Sequence, residues 1–451
     1  MRILILGAFQ AELKSITQQF SNLKDTIIAR RRCSTIKTQD LEMAFSLSGL
    51  GTTSAACTTT ALCENFDPDL IILCGVAGGL ESSQKIGDLV LATKIIDADL
   101  YESQSILKGT PYEPCLTDPH TLKPTTSAYQ VHPLLIDIGA SINLSRLNTG
   151  IVATSNIFPA PKELFSAIKA LGCSAIEMES VGVFKAAEHY GIPVMTIRAI
   201  SNLLDNSGDD LGTEVDALAI CSERIALFLT SLLNKTKKLE ELAQLSQQKK
   251  ISEIVMKYEL TQHPEGGWYR QTYRSSESVS PMGASLVRYD GKSRVAGTSI
   301  LYLLAKGDFS AWHTVQSDET WNFHLGEPLL LRVIDPDSKK LEEIVLGLDT
   351  LQYTVKAGHV FSAESMGKFS LTGCMVTPGF EFRDFRLLSR TEFCEKYPQH
   401  KGMARLARDR TVVDIHETPE MNVLSSNFFS IKKPCTETDK LGSSTAIRSM
   451  L

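Results

Sequence analysis

Apolar residues follow two different patterns along the chain. In the first half, short continuous apolar runs, typical of buried strands, are separated by segments with the period of a helix. The apolar runs cover residues 2–6, 70–74, 88–96 and 194–200, and the helical segments include residues 53–64, 162–171 and 181–190. This succession predicts an α/β domain with a mostly parallel sheet.

The second half has short β-rich segments with turn residues between them, and this predicts an antiparallel barrel. A charged, Gln-rich stretch precedes it, with Leu239, Leu242 and Leu245 on one stripe, and this indicates a helical or flexible linker. The end of the chain is polar and aperiodic, which is typical of a disordered tail. The predicted segments are residues 1–234, the linker 235–250, the barrel domain 251–408 and a mostly disordered tail 409–451.

Composition narrows the class of protein. A chain of 451 residues is too long for one ordinary core, so two domains are expected. The net charge of -6 argues against binding to nucleic acid or to an anionic membrane. No apolar run approaches the roughly 20 residues that span a bilayer. The 10 cysteines form no CxxC pair, so neither a zinc site nor a disulfide framework is indicated, and we expect a cytoplasmic location.

Two carboxylates, an arginine and a carboxamide lie in two motifs near the middle of the chain. Glu177 and Glu179 lie in the stretch 175–180, and Arg198 and Asn202 lie in the stretch 194–202. A helix start and a strand end can bring these groups together around a small polar ligand. Taken alone, the Glu-Met-Glu sequence also fits an exposed turn of helix.

Glycine-rich motifs precede these two in a definite order. They are Gly7-Ala8-Phe9-Gln10-Ala11-Glu12, Ser48-Gly49-Leu50-Gly51, Gly75-Val76-Ala77-Gly78-Gly79-Leu80 and Gly87-Asp88-Leu89-Val90. Over residues 1–234 the series resembles the nucleoside phosphorylase/nucleosidase superfamily, most closely the methylthioadenosine/S-adenosylhomocysteine nucleosidases and the related futalosine hydrolases. The resemblance implies an α/β fold with a central mixed sheet, a purine nucleoside as the small-molecule partner, a homodimer and no cofactor.

The resemblance also implies roles for individual residues. Glu12 matches the carboxylate that orients or deprotonates the attacking water, although a glutamate in a first helical turn is also favoured by the helix dipole. Glu179 matches the acceptor for the 2′- and 3′-hydroxyls, because two cis hydroxyls present two donors to one carboxylate. Other residues match the surroundings of the sugar, the base and the water: Leu50, Val76, Ile157, Phe158, Met178, Arg198 and Ser201. For Phe158 alone, core packing is nearly as good an account as stacking on the purine.

One contrast with the phosphorolytic relatives and two departures from the nucleosidase pattern bear on the reaction. Phosphorolytic members carry an arginine in the third motif, whereas residues 71–76 contain no cation, so the sequence favours hydrolysis. The related nucleosidases usually have Ser where Val76 stands. Adenine-releasing members carry Asp at the position of Asn202, whose amide can donate a hydrogen bond to N7 but no proton. Asn202 therefore suits a 6-oxopurine, or it only caps a turn.

The barrel domain carries a specific motif of its own. The string His263-Pro264-Glu265-Gly266-Gly267-Trp268-Tyr269-Arg270, followed by motifs around His313 and Glu319, resembles a small cupin family over residues 251–388. The resemblance implies an all-β cupin barrel, a double-stranded β-helix. Val315 and Phe361 replace two metal-binding histidines of general cupins, so we expect no metal. The expected pocket for a small polar molecule comprises His263, Glu265, Arg270, His313, Glu319 and Trp321, although aromatic side chains that merely fill the barrel are an equal alternative.

The sequence thus predicts an enzyme that hydrolyses the N-glycosidic bond of a 5′-modified purine nucleoside and releases the free base. Glu12, Arg198 and Asn202 are the expected catalytic residues. A futalosine- or inosine-type hydrolase is the alternative that Asn202 raises. A non-catalytic nucleoside sensor with a cupin ligand-binding module is the second alternative, raised by Val76 and Asn202 together.

Overall fold

The computed structural model of the chain describes residues 1–38, 41–108, 127–158, 161–204, 216–280, 282 and 287–408. Two compact units share these residues, Met1–Thr261 and Gln262–Leu451. Residues 409–451, the predicted tail, lie outside the described residues. The four predicted segments and their boundaries stay predictions.

One mixed sheet forms the centre of the first unit. Its strands are β1 (Arg2–Gly7), β2 (Lys24–Ile28), β3 (Arg31–Lys37), β4 (Glu42–Leu47), β5 (Leu70–Gly79), β6 (Leu89–Asp97), β7 (Ala128–Gln130), β8 (Leu147–Thr154), β9 (Cys173–Glu177) and β10 (Val194–Leu203). β10 pairs in parallel with β5 and antiparallel with β6, and the pairs β6–β8, β8–β9 and β9–β5 complete a closed ring of five strands. The predicted α/β fold with a mixed central sheet is confirmed.

Helices cover this sheet. They are α1 (Gln10–Thr17), α2 (Gly51–Phe66), α3 (Ala98–Leu107), α4 (Pro133–Ala140), α5 (Lys162–Ala170), α6 (Ser180–Tyr190), α7 (Ala217–Leu233) and α8 (Thr236–Lys257). α6 ends where Gly191 takes a left-handed conformation, with φ of 65°, which glycine adopts without strain. Residues 235–250, predicted as a linker, coincide almost entirely with the start of α8.

The long apolar runs become strands buried on both faces. Ile3, Leu4 and Ile5 of β1 and Ile71 and Ile72 of β5 have no exposed surface and belong to the main core of this unit. This burial explains why the runs lack the alternation of a half-exposed strand.

Helix α6 packs closely against the start of α2. Gly182 of α6 lies so near this helix that a β-carbon on it would collide with the carbonyl oxygen of Thr52. Helix α6 therefore starts close to the first turn of α2.

The second unit is almost entirely β-structure. Its sheets contain β11 (Thr261–Gln262), β12 (Trp268–Arg274), β13 (Ser278–Val279), β14 (Arg294–Val295), β15 (Thr298–Ala305), β16 (Phe309–Val315), β17 (Asp318–Gly326), β18 (Leu329–Ile334), β19 (Leu341–Leu346), β20 (Gln352–Val355), β21 (Val360–Ser365), β22 (Phe369–Thr377) and β23 (Phe385–Leu387). A six-stranded sheet has the order β11-β12-β15-β22-β17-β20, and a five-stranded sheet has the order β19-β18-β21-β16-β23. Helix α9 (Arg390–Lys396) follows them. The expected all-β cupin domain is confirmed.

Among the described residues, no single helix is both long and apolar enough to cross a membrane, and only α7 and α8 together, as a pair bent by 75°, reach that length and apolar content.

Candidate active site

Glu12 lies in the first turn of α1, just after the end of β1, and its carboxylate reaches Val76 within β5. Its side chain is 2% exposed. Oε2 accepts a hydrogen bond from the backbone N–H of Ala8 at 2.5 Å, and Oε1 accepts from the N–H of Val76 at 2.7 Å. A backbone donor on each side fixes the carboxylate in one orientation. Val76 therefore contributes its backbone to the site, whatever its side chain does.

Arg198 of β10 is the central cation of the site. It is completely buried, and Nη2 forms an ion pair with Glu177 Oε2. The same Nη2 lies 3.5 Å from Glu179 Oε2 and 3.5 Å from the hydroxyl of Ser180. A buried guanidinium needs such partners, because an unpaired charge in the interior is costly.

Glu177 is a residue whose role the sequence did not reveal. Besides pairing with Arg198, its carboxylate accepts hydrogen bonds from the N–H groups of Glu179 and Ser180, each at 3.0 Å, and from the hydroxyl of Thr154. It thereby caps the first turn of α6 and holds Arg198 in place. Glu177 lies two positions before Glu179 in the same motif. The spacing alone does not indicate which of the two carboxylates forms the ion pair with Arg198.

Burial raises the pKa values of both predicted carboxylates. For Glu12 this effect exceeds the opposing effects of Arg198 and of the backbone donors. For Glu179, burial raises the pKa to about 7; Arg198 opposes the shift and Glu177 adds to it. Burial opposes the charge on Arg198, yet the carboxylates of Glu177, Glu179 and Glu12 raise its pKa above the ordinary value. A carboxyl group that titrates near neutral pH can exchange a proton during a reaction.

Glu179 is also held by the start of α2. Its Oε1 accepts from the N–H of Gly51 at 3.2 Å. A second chain of hydrogen bonds fixes this turn: Asn156 Oδ1 accepts from the N–H of Thr52 at 2.9 Å and from its hydroxyl at 3.0 Å. Asn156 is held in turn by Asp99, which accepts from its N–H at 2.9 Å and from its Nδ2 at 3.0 Å. Asp99 and Asn156 were not predicted, because they are far apart in sequence and belong to none of the motifs.

Asn202 lies near the end of β10 beside an irregularity. The register against β5 shifts between Ile200 and Asn202, so Ser201 forms a bulge of the kind that re-aims side chains near active sites. Asn202 is 8% exposed, and its Oδ1 accepts from the hydroxyl of Ser201 at 3.1 Å. Nδ2 is buried and has no hydrogen-bond partner among the described residues. An unpaired buried donor is expensive, so this amide is suited to a ligand acceptor.

Apolar side chains border the same region. Leu50 is 62% exposed and Ile157 and Phe158 are 51% and 63% exposed, while Met178 is half-buried next to Glu179. The N–H of Ile157 donates to the Ser155 hydroxyl, which donates to Asp99. Of the predicted residues, hydrogen bonds and ion pairs join Glu12 to Val76, Arg198 to Glu179 and Ser201 to Asn202. The side chains of Leu50, Ile157, Phe158 and Met178 enter no such contact.

The second unit brings together part of its predicted pocket. Glu265 Oε2 lies 3.3 Å from His313 Nε2 and 3.7 Å from His263 Nδ1. Glu319 and Trp321 are buried on strand β17. Arg270 is half-buried on β12, and its backbone lies opposite Leu301 of β15 in the sheet.

These residues do not fit a metal ion. Among the described residues, no group of three or more His, Cys, Asp or Glu side chains is placed to hold one. Val315 is 2% exposed in the apolar core, and the ring of Phe361 lies 4.0 Å from that of His313. The absence of a metal stays a prediction.

Comparison with known proteins separates the same two regions. Residues 2–234 match the family model "Phosphorylase superfamily" and residues 252–388 match "Cupin superfamily (DUF985)". A 5′-methylthioadenosine/S-adenosylhomocysteine nucleosidase from Buchnera aphidicola is 32% identical over 211 residues, which are 46% of this chain and 86% of the relative.

Two solved structures are similar to parts of the chain. A protein from Shewanella oneidensis is 37% identical and covers 35% of this chain and 97% of its own, with a TM-score of 0.31. A Campylobacter jejuni 5′-methylthioadenosine/S-adenosylhomocysteine nucleosidase is 24% identical and covers 52% of this chain and 99% of its own, with a TM-score of 0.44. The chain belongs to the phosphorylase superfamily over residues 2–234 and carries a domain of the Cupin superfamily (DUF985) over residues 252–388.

Proposed function

We propose that the first unit hydrolyses the N-glycosidic bond of a 5′-modified purine nucleoside of the methylthioadenosine/S-adenosylhomocysteine type and releases the free purine base. The observation that carries the proposal is the buried Glu12–Arg198–Glu179 arrangement, in which both carboxyl groups have raised pKa values. The 32% identical nucleosidase from Buchnera aphidicola supports the same reaction class.

Glu12, Glu179 and Asn202 each have a part in this reaction. The oxygen of a water molecule attacks C1′ while the C1′–N9 bond breaks and its electron pair leaves with the base. Glu12 takes the proton of that water, and a raised pKa makes it a better base for this purpose. Glu179 accepts hydrogen bonds from the ribose hydroxyls, and Asn202 Nδ2 donates to N7 as negative charge develops on the base. The departing base takes its proton from solvent.

Water rather than phosphate is the favoured nucleophile. The strand that precedes Val76 is apolar and completely buried from Ile71 to Cys74. Arg198 is already bound by carboxylates and has no exposed surface. A phosphate dianion would therefore have to lose its hydration without gaining an available cation.

Asn202 supports a second candidate, a futalosine- or inosine-type hydrolase. Its unpaired Nδ2 can serve N7 and O6 of a 6-oxopurine together. The 6-amino group of adenine is itself a donor, so it gains nothing from a second donor. A nucleoside sensor without catalysis is the third reading, and it differs from both enzymes in releasing no base.

The proposal includes a homodimer and a cytoplasmic location. Leu50, Ile157 and Phe158 leave apolar surface exposed beside the site, which supports cover by a ligand or by a second copy of the chain. All eight cysteines among the described residues are free thiols, which fits a reducing compartment.

The test is to incubate the full chain with methylthioadenosine, S-adenosylhomocysteine, inosine and futalosine, each with and without phosphate, and to separate the products by chromatography. We expect free base and free sugar at a rate independent of phosphate. A sugar 1-phosphate product would overturn hydrolysis. Tight binding of a nucleoside without any base release would favour the sensor.

A further inference from the structure

A second cluster of titratable side chains lies inside the cupin domain. The side chains of Glu265, His263 and His313 are at most 7% exposed, and both imidazoles approach the same carboxylate oxygen. The other oxygen of Glu265 accepts a hydrogen bond from the Ser310 hydroxyl at 2.9 Å. Tyr302, Glu319 and Cys374 are the further titratable groups that border this carboxylate.

The hydrogen bonds of His313 determine how many protons His313 and Glu265 hold together. Nδ1 lies 2.7 Å from the carbonyl oxygen of Ala311, and a carbonyl only accepts, so Nδ1 carries a hydrogen. A neutral imidazole would then present a lone pair on Nε2 to the ionised carboxylate of Glu265, 3.3 Å away. Two acceptors at this distance need a proton between them. His313 and Glu265 therefore share one proton. The net charge of the pair is zero whether that proton lies on Nε2 or on the carboxylate.

Glu319 is a second proton donor in this interior. Burial and the nearby charge of Glu265 raise the pKa of Glu319 to about 8, so its carboxyl group is mostly protonated at neutral pH. Its neighbour on the strand, Trp321, is 1% exposed. Nε1 of Trp321 donates to no acceptor in the described part of the chain. Its ring lies 5.7 Å from that of Tyr302 and 6.4 Å from that of Phe361, which in turn contacts His313.

We propose that this interior binds a small uncharged molecule through hydroxyl or carbonyl oxygens, with Trp321 Nε1 and Glu319 as donors and the His313–Glu265 pair as its acid–base partner. The buried Nε1 of Trp321, which has no partner among the described residues, calls for an acceptor oxygen. The zero net charge of the pair leaves no excess positive charge on it to hold an anion.

Fluorine NMR of the full chain labelled with 5-fluorotryptophan tests this proposal, because the chain has 3 tryptophans. The uncharged probes are dihydroxyacetone and xylitol, and the charged probes are acetate and pyruvate. We expect at least one uncharged probe to move the Trp321 signal at lower concentration than either carboxylate. Trp312 is the internal control, since its Nε1 already donates to the Met403 carbonyl at 3.0 Å.

Two isosteric variants separate the roles of the carboxyl groups. Glu319→Gln keeps a neutral donor, so the responding probe should bind within about threefold of wild type, whereas Glu265→Gln removes the shared proton and should weaken it about tenfold or more. Thermal melting checks that each variant is folded. If Glu265→Gln does not fold, Trp321→Phe replaces it, and calorimetric titration should show the same loss.

Three results would overturn the proposal. The first is a Trp321 signal that no uncharged probe moves, which would leave water as the acceptor. The second is tighter binding of acetate or pyruvate, and the third is an equal shift of the Trp312 signal. Base release by the first unit is a separate measurement, so failure here leaves the proposed nucleosidase reaction untouched.

Discussion

The guanidinium of Arg198 and the carboxylate of Glu12 fill the space beside Gly75, where a β-carbon would collide with both. Gly75 lies in β5 and pairs with Arg198 itself. The absence of a side chain at this position thus allows the central cation and the candidate base to approach each other across the strand.

Gly75→Ala should therefore disable the site while leaving the sheet formed. The new methyl group must displace Arg198 or Glu12, and a small misplacement of catalytic groups costs about 10²-fold in kcat/KM. Gly78→Ala in the same strand is the matched control, because its β-carbon would meet only flexible parts of Leu204 and Ile176 at 3.1 to 3.5 Å. Steady-state kinetics and melting curves of both variants provide the measurement. Equal activity in the two would contradict the arrangement.

Substrate binding should depend on pH through Glu179. Burial raises its pKa to about 7, and the protonated form cannot accept from both ribose hydroxyls. KM should thus rise as pH falls below about 7, in a profile measured from about pH 5.5 to 8.5. Glu179→Gln should abolish this pH dependence of KM and lower turnover about 10²-fold or more. Glu12→Gln should also lower turnover about 10²-fold or more. Wild-type rates in either folded variant would remove that residue from the site.

The sequence predicted the fold well where burial dictates composition. Ile3 to Leu6 and Ile71 to Cys74 are apolar because helices cover both faces of the sheet, so the pattern alone indicates their strands. The closed ring was not predictable in this way. It depends on β10 pairing with both β5 and β6, and no local pattern encodes which strands meet.

The candidate site was predictable only as a set of motifs. Glu12, Glu179 and Arg198 belong to recognisable strings, whereas the Glu177–Arg198 pair and the Ser201 bulge arise from the register of β10. Contacts between distant segments were hidden in the same way. Asp99 and Asn156 are 57 positions apart, and Glu265 and His313 are 48 positions apart.

Asp99 should act as a positioning residue for the segment 155–157 and, through Asn156, for Glu179. Its two oxygens hold Ser155 and Asn156, and Asn156 holds the turn that contacts Glu179. Asp99→Asn replaces one acceptor with a donor, so we expect KM to rise about tenfold while kcat changes less. Asp137→Asn, an exposed aspartate on α4, is the control. A fall in kcat with unchanged KM would argue against positioning.

The purified full chain should contain no stoichiometric Fe, Mn, Ni or Zn. Val315 and Phe361 stand where imidazoles would be needed, and a transition metal normally takes three or more protein ligands. Elemental analysis of the full chain checks this. One metal per chain that disappears in His313→Ala would refute the prediction.

Asn202 provides the sharpest test of substrate choice. If Asn202 sets the base preference, its Nδ2 can donate to N7 but cannot deliver a proton, and the wild-type protein should then favour hypoxanthine release and release adenine slowly. Asn202→Asp adds a carboxyl group that can protonate N7 and accept from the 6-amino group. The variant should therefore shift the preference toward adenine nucleosides.

The measurement is kcat/KM for an adenosine-type and an inosine-type substrate that share the same sugar, on both proteins. A buried hydrogen-bonding group that meets the wrong exocyclic group loses about 1–3 kcal/mol, or roughly tenfold or more in the ratio. Asn148→Asp, the same substitution at an exposed position of β8, is the control. A ratio that stays the same in Asn202→Asp would mean that Asn202 does not contact the base, and the 6-oxopurine candidate would lose its support.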